Sequence, residues 1–338
     1  MRHKEVKVKD IADRLGISQS TVSKALHNAS DISEYRRRQI LDAAVEMGYV
    51  VKSSQKERNR KLAVLLNAVA YEKPEDIGYD LTMGFRQAAL RDMWGVDVVS
   101  VSTEEEEKEK FDNYIMSRGY LGAFMAGFSS KDRWYRELSS SVSPAVLLDD
   151  YIPNSHVCEV CTDSGEAVNS VIDHLTELGH KKIAFWNGPI DQHLSQVRED
   201  AFLQSVYAHN LTTGDCPIIH SDVEEADPNY LEQLITSILN SGTTAIFCRN
   251  DETALKIMDS FLKRGVSIPE TISIVGFDDI AAAGRATPAL TTVHQDRNLL
   301  GQAGFFALVS LISGIHLNRS TIRSELAVRE STGPARRE

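Results

Sequence analysis

From Leu62 onward, short apolar runs alternate with amphipathic helical stretches, and this alternation constrains the fold more than any other feature. The runs LAVLLNAV, VDVVSVS, YLGAFMAG and PAVLLDD have the apolar density of strands covered on both faces. Helical patterns lie between them near residues 79–93, 107–117 and 131–140. After Tyr151 the pattern restarts with VCEVCTD, KIAFWNG, CPIIHSD, TAIFCRN and TISIVGFDD. Its helices fall near residues 164–178, 195–210, 228–241, 251–265 and 296–313. Alternating β and α units predict parallel sheets, right-handed crossovers and helices on both faces. Some ten strands over about 275 residues suit two similar doubly wound halves better than one sheet. Ligands of such halves are expected at the carboxyl ends of the strands.

The first sixty residues have another texture. DIADRLGISQSTVSKALHN runs from Asp10 to Asn28, with Ile11, Ala12, Leu15, Val22, Ala25 and Leu26 at helical spacing. Gly16 interrupts the pattern, and Ser18 follows as a good N-cap. One helix is predicted over about Val8–Leu15 and a second that starts after Ser18 and ends near Leu26. A third starts after Ser33 and stops at Gly48, with Ile40, Leu41, Ala44 and Val45 on its apolar face. Residues 50–61, VVKSSQKERNRK, are polar and basic and read as a linker.

Charge separates these regions. Residues 1–61 hold 14 Lys and Arg against 8 Asp and Glu, a net of +6, whereas the remainder holds 23 against 40, a net of −17. A basic head on an acidic body predicts that the head alone meets a polyanion. Two helices joined by a short Gly-containing turn, inside a basic three-helix head, describe a helix-turn-helix. Its second helix would enter the major groove with Gln19, Ser20 and Thr21 leading and Lys24 one turn on. Gln pairs with adenine and Lys donates to guanine, while hydroxyls at a helix start suit bases or phosphates.

Several functions lose support. No apolar run reaches the roughly 18 residues of a membrane span. The start MRHKEVKVKD lacks a signal-peptide core, so a cytoplasmic protein is expected. Cys158, Cys161, Cys216 and Cys248 are too few for a disulfide framework, and the C-x-x-C of Cys158 and Cys161 has no second pair. They are expected to be buried small hydrophobes rather than metal or redox ligands. The acidic stretch TEEEEKEKFDN reads as the solvated start of a helix. No nucleophile elbow, P-loop, dinucleotide fingerprint or H-E-x-x-H motif occurs, so no catalytic residue, cofactor or metal is assigned. His174 and His180, flanking a helix end, read as structural.

The stretch VKVKDIADRLGISQSTVSKALHNASDISEYRRRQILDAAVEMGY closely resembles the DNA-binding head of the lactose-repressor (LacI/GalR) family of bacterial regulators. Asp10–Ala12, Gly16–Leu26, Ile32–Arg37 and Gly48–Tyr49 carry the match. It continues through PAVLLDD, TDSGEA, HLTELGHKKIAFWNGP, RGVSIPETISIVGFDDIAAAGRATPALTTVHQD and ELAVREST. The resemblance implies a periplasmic-binding-protein-like body of two doubly wound subdomains behind the head. It places Gln19, Ser20 and Lys24 at base-reading positions and Ser18 and Thr21 at phosphate contacts, with His27, Tyr49, Lys52 and Arg58 completing the DNA-facing set. It implies an effector site drawing on Arg198, Asn250 and Asp278, with Asp149 at a strand end and Trp186 or Tyr79 as an aromatic platform. A guanidinium fork, an amide and carboxylates can grip sugar hydroxyls. Structural uses compete: Asp278 or Asp279 as a helix cap, Asp251 as the cap of ETALKIMD, and Arg198 in a helix salt bridge.

The implied boundaries are a head over 1–49, a linker or atypical hinge over 50–61, and an effector-binding and dimerisation body over 62–338. Within the body, 62–152 with 290–320 and 153–289 with 321–333 form the subdomains. The hinge departs from the family. Val51, Lys52 and Arg58 replace the proline, the asparagine and the leucine that wedges into the minor groove. Arg enters a narrow groove without unstacking bases, so a steeper salt dependence is expected. The function implied is a homodimeric repressor that binds a palindromic operator and is released by a small sugar. A purine-type corepressor-dependent regulator, a global carbon-catabolite regulator answering to a protein partner, and a ligand-hydrolysing enzyme fused to a DNA-binding head are the alternatives.

Overall fold

A computed structural model describes residues 6–26, 29, 31–47, 60–190, 192–221 and 228–336. The chain divides into two compact units. The first takes Met1–Cys161 and Arg297–Ile322, and the second Thr162–Asp296 and Arg323–Glu338.

The first unit begins with helices α1 (Val8–Leu15), α2 (Gln19–Leu26) and α3 (Glu34–Glu46). Their bounds follow local chemistry. The Asp10 carboxylate accepts the Lys7 backbone N–H at 2.7 Å, tying off the start of α1. Gly16 ends α1 at φ +64°, a conformation only glycine takes without cost, and its N–H returns to the Ala12 and Asp13 carbonyls. Ser18 Oγ accepts the Thr21 N–H at 3.1 Å, and Ser33 Oγ accepts the Arg36 N–H at 3.3 Å, capping α2 and α3. Ile11, Ala12, Val22, Ala25, Leu26, Ile40, Ala43 and Ala44 form the head's core. The side chains of Leu41 and Val45 lie outside the described set.

Beyond the head come β1 (Lys61–Asn67), α4 (Ile77–Arg91), β2 (Gly95–Val101), α5 (Thr103–Lys108), α6 (Phe111–Ser117), β3 (Ala123–Ala126), α7 (Arg133–Glu137), β4 (Ala145–Leu148) and β5 (Val157–Thr162). The acidic stretch forms a separate short helix, α5, with Ser102 and Glu105 as a reciprocal capping box. The second unit contains α8 (Ser164–Glu177), β6 (Ile183–Asn187), α9 (His193–Ala208), β7 (Ile218–His220), α10 (Pro228–Asn240), β8 (Ala245–Cys248), α11 (Asp251–Lys263), β9 (Ser273–Asp278), α12 (Ala281–Arg285) and β10 (Thr291–His294). The chain then returns to the first unit as α13 (Arg297–Ile312) and β11 (Arg319–Ile322), and to the second as β12 (Glu325–Ala327).

Each unit has one six-stranded sheet, ordered β11-β5-β4-β3-β1-β2 in the first and β12-β10-β9-β8-β6-β7 in the second. The first unit's pairings from β5 to β2 and the second's from β10 to β7 are parallel, while β12 joins β10 antiparallel. Both faces of each sheet are covered. In the first unit Phe85, Phe124 and Phe305 pack on one face and Phe111, Tyr114 and Trp134 on the other. In the second, Phe185, Phe202, Phe247 and Phe277 oppose Trp186, Met258 and Phe261. Burying each such ring contributes about 1.5–3 kcal/mol.

The boundaries differ from those expected. The first crossover falls after Cys161 rather than at 152, because β5 pairs with β4 inside the first sheet. Residues 290–296 belong to the second unit, because β10 pairs with β9. The head groups with the first unit: Leu90 of α4 is buried in the head's own core, and Met83 packs beside it.

Candidate DNA-reading surface and effector-binding residues

Helix α2 has two unlike faces. Val22, Ala25 and Leu26 are buried against α1 and α3, while Ser18, Gln19, Ser20 and Lys24 are exposed and Thr21 is half-buried. Three hydroxyls gather at its start: Ser18 Oγ lies 2.8 Å from both Ser20 Oγ and Thr21 Oγ1. Beside them the Gln19 amide and the Lys24 ammonium offer donors to a groove. Lys24 Nζ meets the Asp31 carboxylate at 2.5 Å, which holds the Asp31 carboxyl below its ordinary range. Arg37, nearly buried, donates to the Ala29 carbonyl at 2.7 Å and the Ile32 carbonyl at 3.4 Å, tying both residues to α3. His27, Tyr49, Lys52 and Arg58 lie outside the described residues, as does the hinge position Val51.

The effector candidates of the second unit converge on the carboxyl ends of its parallel strands. Asp278 ends β9, with its backbone at φ +116°, a region L-residues rarely adopt. Its carboxylate accepts from the Gln295 side-chain amide, and the Gln295 carbonyl oxygen accepts from Thr162 Oγ1 at 2.6 Å. Arg198, on α9, is nearly buried, with its guanidinium 3.6 Å from the centroid of the Phe277 ring. It also donates to the Arg249 carbonyl at the end of β8. It therefore forms a cation–π and backbone contact. Asn250 follows Arg249 and is the N-cap of α11: its side-chain oxygen accepts the Thr253 N–H at 2.9 Å. Asp279 caps no helix. It accepts from Arg329 at 2.6 Å and lies 3.0 Å from His294 Nδ1.

Asp251 is not the cap expected for ETALKIMD. It is the first residue of α11 and is fully buried, accepting from Thr292 Oγ1 at 2.5 Å and from the Ile280 N–H at 2.8 Å. Burial pushes its carboxyl up to about 7, against those two hydrogen bonds and with the help of the neighbouring Asp278 and Asp279 charges. Gly276 is required beside it, since a Cβ there would stand 2.1 Å from Asp251 Oδ1.

In the first unit Asp149 follows β4 at φ +59°, and its N–H bonds the Val160 carbonyl at 2.9 Å. Tyr79 is half-buried on α4. Trp186 is placed otherwise than expected. It is fully buried in β6, and its indole N–H donates to the Ser221 carbonyl at 3.2 Å. The ring belongs to the core and offers no face as a platform, because an interior position of a doubly covered strand covers both sides of its side chain.

Sequence patterning missed Gln295, Thr162 and Arg249, which stand among these strand ends. For Thr162 and Arg249 the one available signal was position, at the end of or directly after the apolar runs of β5 and β8, whereas Gln295 follows the mixed stretch TTVH and carried none. The cysteines are buried free thiols. Burial pushes the Cys158 thiol up to about 11 and that of Cys161 higher, which disfavours the thiolate a metal or redox partner needs. Among the described residues no group of three His, Cys, Asp or Glu is placed to hold a metal ion, and no helix is long and apolar enough to cross a membrane.

Comparison with known proteins follows the same division. The family of bacterial regulatory proteins, lacI family, matches residues 7–51, and a periplasmic binding protein-like domain matches residues 172–332. The HTH-type transcriptional repressor CytR of Escherichia coli (strain K12) is 25% identical over 328 residues, covering 96% of both chains. The lac repressor dimer bound to operator and the anti-inducer ONPF superposes with a TM-score of 0.63 at 21% identity, covering 98% of this chain and 100% of that one. The transcriptional regulator CelR in complex with cellobiose gives a TM-score of 0.65 at 21% identity, covering 97% and 100%. With its head matched by the regulatory family, its body by the binding-protein-like domain and nearly its full length by a repressor, the chain belongs to the lacI family of DNA-binding transcriptional regulators.

Proposed function

We propose that the protein is a cytoplasmic, homodimeric repressor that reads a palindromic operator and is released by a small sugar. The observation that carries the DNA half is α2, which buries one face in the head's core and exposes Gln19, Ser20 and Lys24 on the other. The sugar half rests on polar groups at parallel strand ends. Arg198, Asn250 and Asp278 occupy one end of the second sheet, and Asp278 is held in an unfavourable conformation there. Strained backbone of this kind persists where its surroundings over-determine it, often at ligand sites. The cellobiose complex of CelR, a structure of the same fold, supports a carbohydrate as the ligand class. Two heads related by two-fold symmetry suit two half-sites of a palindrome. The ligand acts by binding the releasing state more tightly than the DNA-bound state. No turnover of the ligand is assigned.

A thermal-shift screen against sugars, sugar phosphates, nucleosides and purines tests this reading. A binder at about 100 times its Kd stabilises the fold by about 2.7 kcal/mol. The expected result is a concentration-dependent shift with one sugar, which then weakens operator binding. A purine that shifts the melt and tightens DNA binding would replace induction by corepression.

A further inference from the structure

We infer that Asp31 is a specificity-determining residue of the DNA-reading head: its carboxylate holds the Lys24 ammonium, so Lys24 is yielded only to DNA that competes for it. The inference rests on the DNA-binding reading above. Lys24 is exposed on the reading face of α2, and its Nζ sits 2.5 Å from Asp31 Oδ2, with both side chains more than half exposed. Ala29 and Ile32, on either side of Asp31, are anchored. The Arg37 guanidinium ties their carbonyls, and the Ala29 N–H bonds the Lys24 carbonyl at 3.0 Å. These bonds keep the acid beside the lysine.

An exposed pair of this kind is weak, so it restrains Lys24 without locking it. Its effect on DNA is larger in kind than in energy. Non-specific binding comes from cations that displace counterions from phosphate, each adding about 0.9 to the salt slope. With Lys24 held by Asp31, any random duplex meets one cation fewer and one anion more. A site presenting a guanine edge or a well-placed phosphate to Lys24 offsets the lost pair. Asp31 thus weakens binding to all sequences and least to the correct one.

The test uses the full-length protein and a mixed-sequence duplex of about 30 base pairs, long enough to seat both heads. Fluorescence anisotropy follows binding across a salt series for the unmodified protein, D31N, K24M, K24M/D31N and D31E. We expect D31N to bind the duplex about 3–10 times more tightly at low salt and to steepen the salt slope by about two, one for the Lys24 freed in each head. D31E keeps the pair and stays near the unmodified protein. In the K24M background, D31N should change affinity by less than about twofold. An equal gain in both backgrounds would mean that Asp31 merely repels phosphate, and overturns the inference. So does D31N binding like the unmodified protein while the latter shows ordinary salt-dependent binding. If the unmodified protein shows no salt-dependent binding at all, the DNA-binding reading falls with it.

Discussion

Two buried ionisable residues give the second unit opposite responses to pH. Asp251 is fully buried, and burial pushes its carboxyl up to about 7 from an ordinary 3.8. The folded state therefore prefers its protonated form. That contribution is whole below the unfolded value and is lost as pH rises through about 7. His180 is nearly buried, with Nδ1 2.9 Å from Thr244 Oγ1 and Nε2 3.1 Å from both Ser273 Oγ and the Gly333 carbonyl. Burial lowers its pKa, so its contribution is whole above the ordinary 6.5 and is lost as pH falls through the lowered value. The melting temperature should accordingly fall towards both alkaline and acid pH. Asp251→Asn cannot ionise; its one oxygen can still accept the Ile280 N–H, and its amide nitrogen then donates to Thr292 Oγ1, which turns about its own bond to receive it. Differential scanning calorimetry between about pH 5 and about pH 8 should show a flatter profile for D251N than for the natural residue. A parallel decline in both would place the alkaline loss elsewhere.

At the scale of elements, glycines have two distinct uses. Gly84 on α4 and Gly301 on α13 let two helices meet backbone to backbone. A Cβ at Gly84 would stand 2.0 Å from the Asn298 carbonyl oxygen, and one at Gly301 equally close to that of Leu81. Neither obstacle is a side chain that can rotate away, so G84A or G301A must part the helices. Overpacking of this kind costs about 1–3 kcal/mol or more, and urea unfolding should report it as a lower midpoint. Gly16 has nothing within 4 Å of a built Cβ, yet sits at φ +64°. G16A should therefore cost only about 1 kcal/mol, through backbone strain at the turn between α1 and α2. If G16A proved the costlier change, the close approach of α4 and α13 would not be what governs stability there.

At the scale of the molecule, the head does not complete its core alone. Leu90, near the end of α4, is buried among Ile11, Val22, Ile40 and Ala44, and Met83 packs against the same group. Since α4 also packs against α13, the head rests on the helix layer of the first unit. Truncating a buried leucine costs about 2–5 kcal/mol at its own site. L90A should raise hydrogen exchange across α1–α3 and leave α8 of the second unit unchanged. Uniform loosening of both units, or protection of α1–α3 equal to that of the natural protein, would show that the head is stable without α4.

What the sequence determined by itself was whatever depends on near neighbours. The head was legible because Ile11, Val22 and Ile40 recur at helical spacing and Gly16, Ser18 and Ser33 punctuate it within a few residues. The long strands were legible because a strand covered on both faces must be apolar throughout, as in LAVLLN and AIFC. Only the tertiary structure decided the rest. β10, β11 and β12 read TTVH, RSTI and ELA, too short and mixed for a pattern, and are strands because their sheets supply partners, β10 between β9 and β12 and the other two at the edges. Trp186 and Asp278 both lie in apolar strands, yet one is core and the other a strained strand end, since a strand's neighbours set which positions are covered. Gln295 reaches Asp278 across 17 residues and Thr162 across 133, and Leu90 enters the head from another helix. Contacts of that range leave no periodic trace, because their partners are brought together by packing rather than by spacing along the chain.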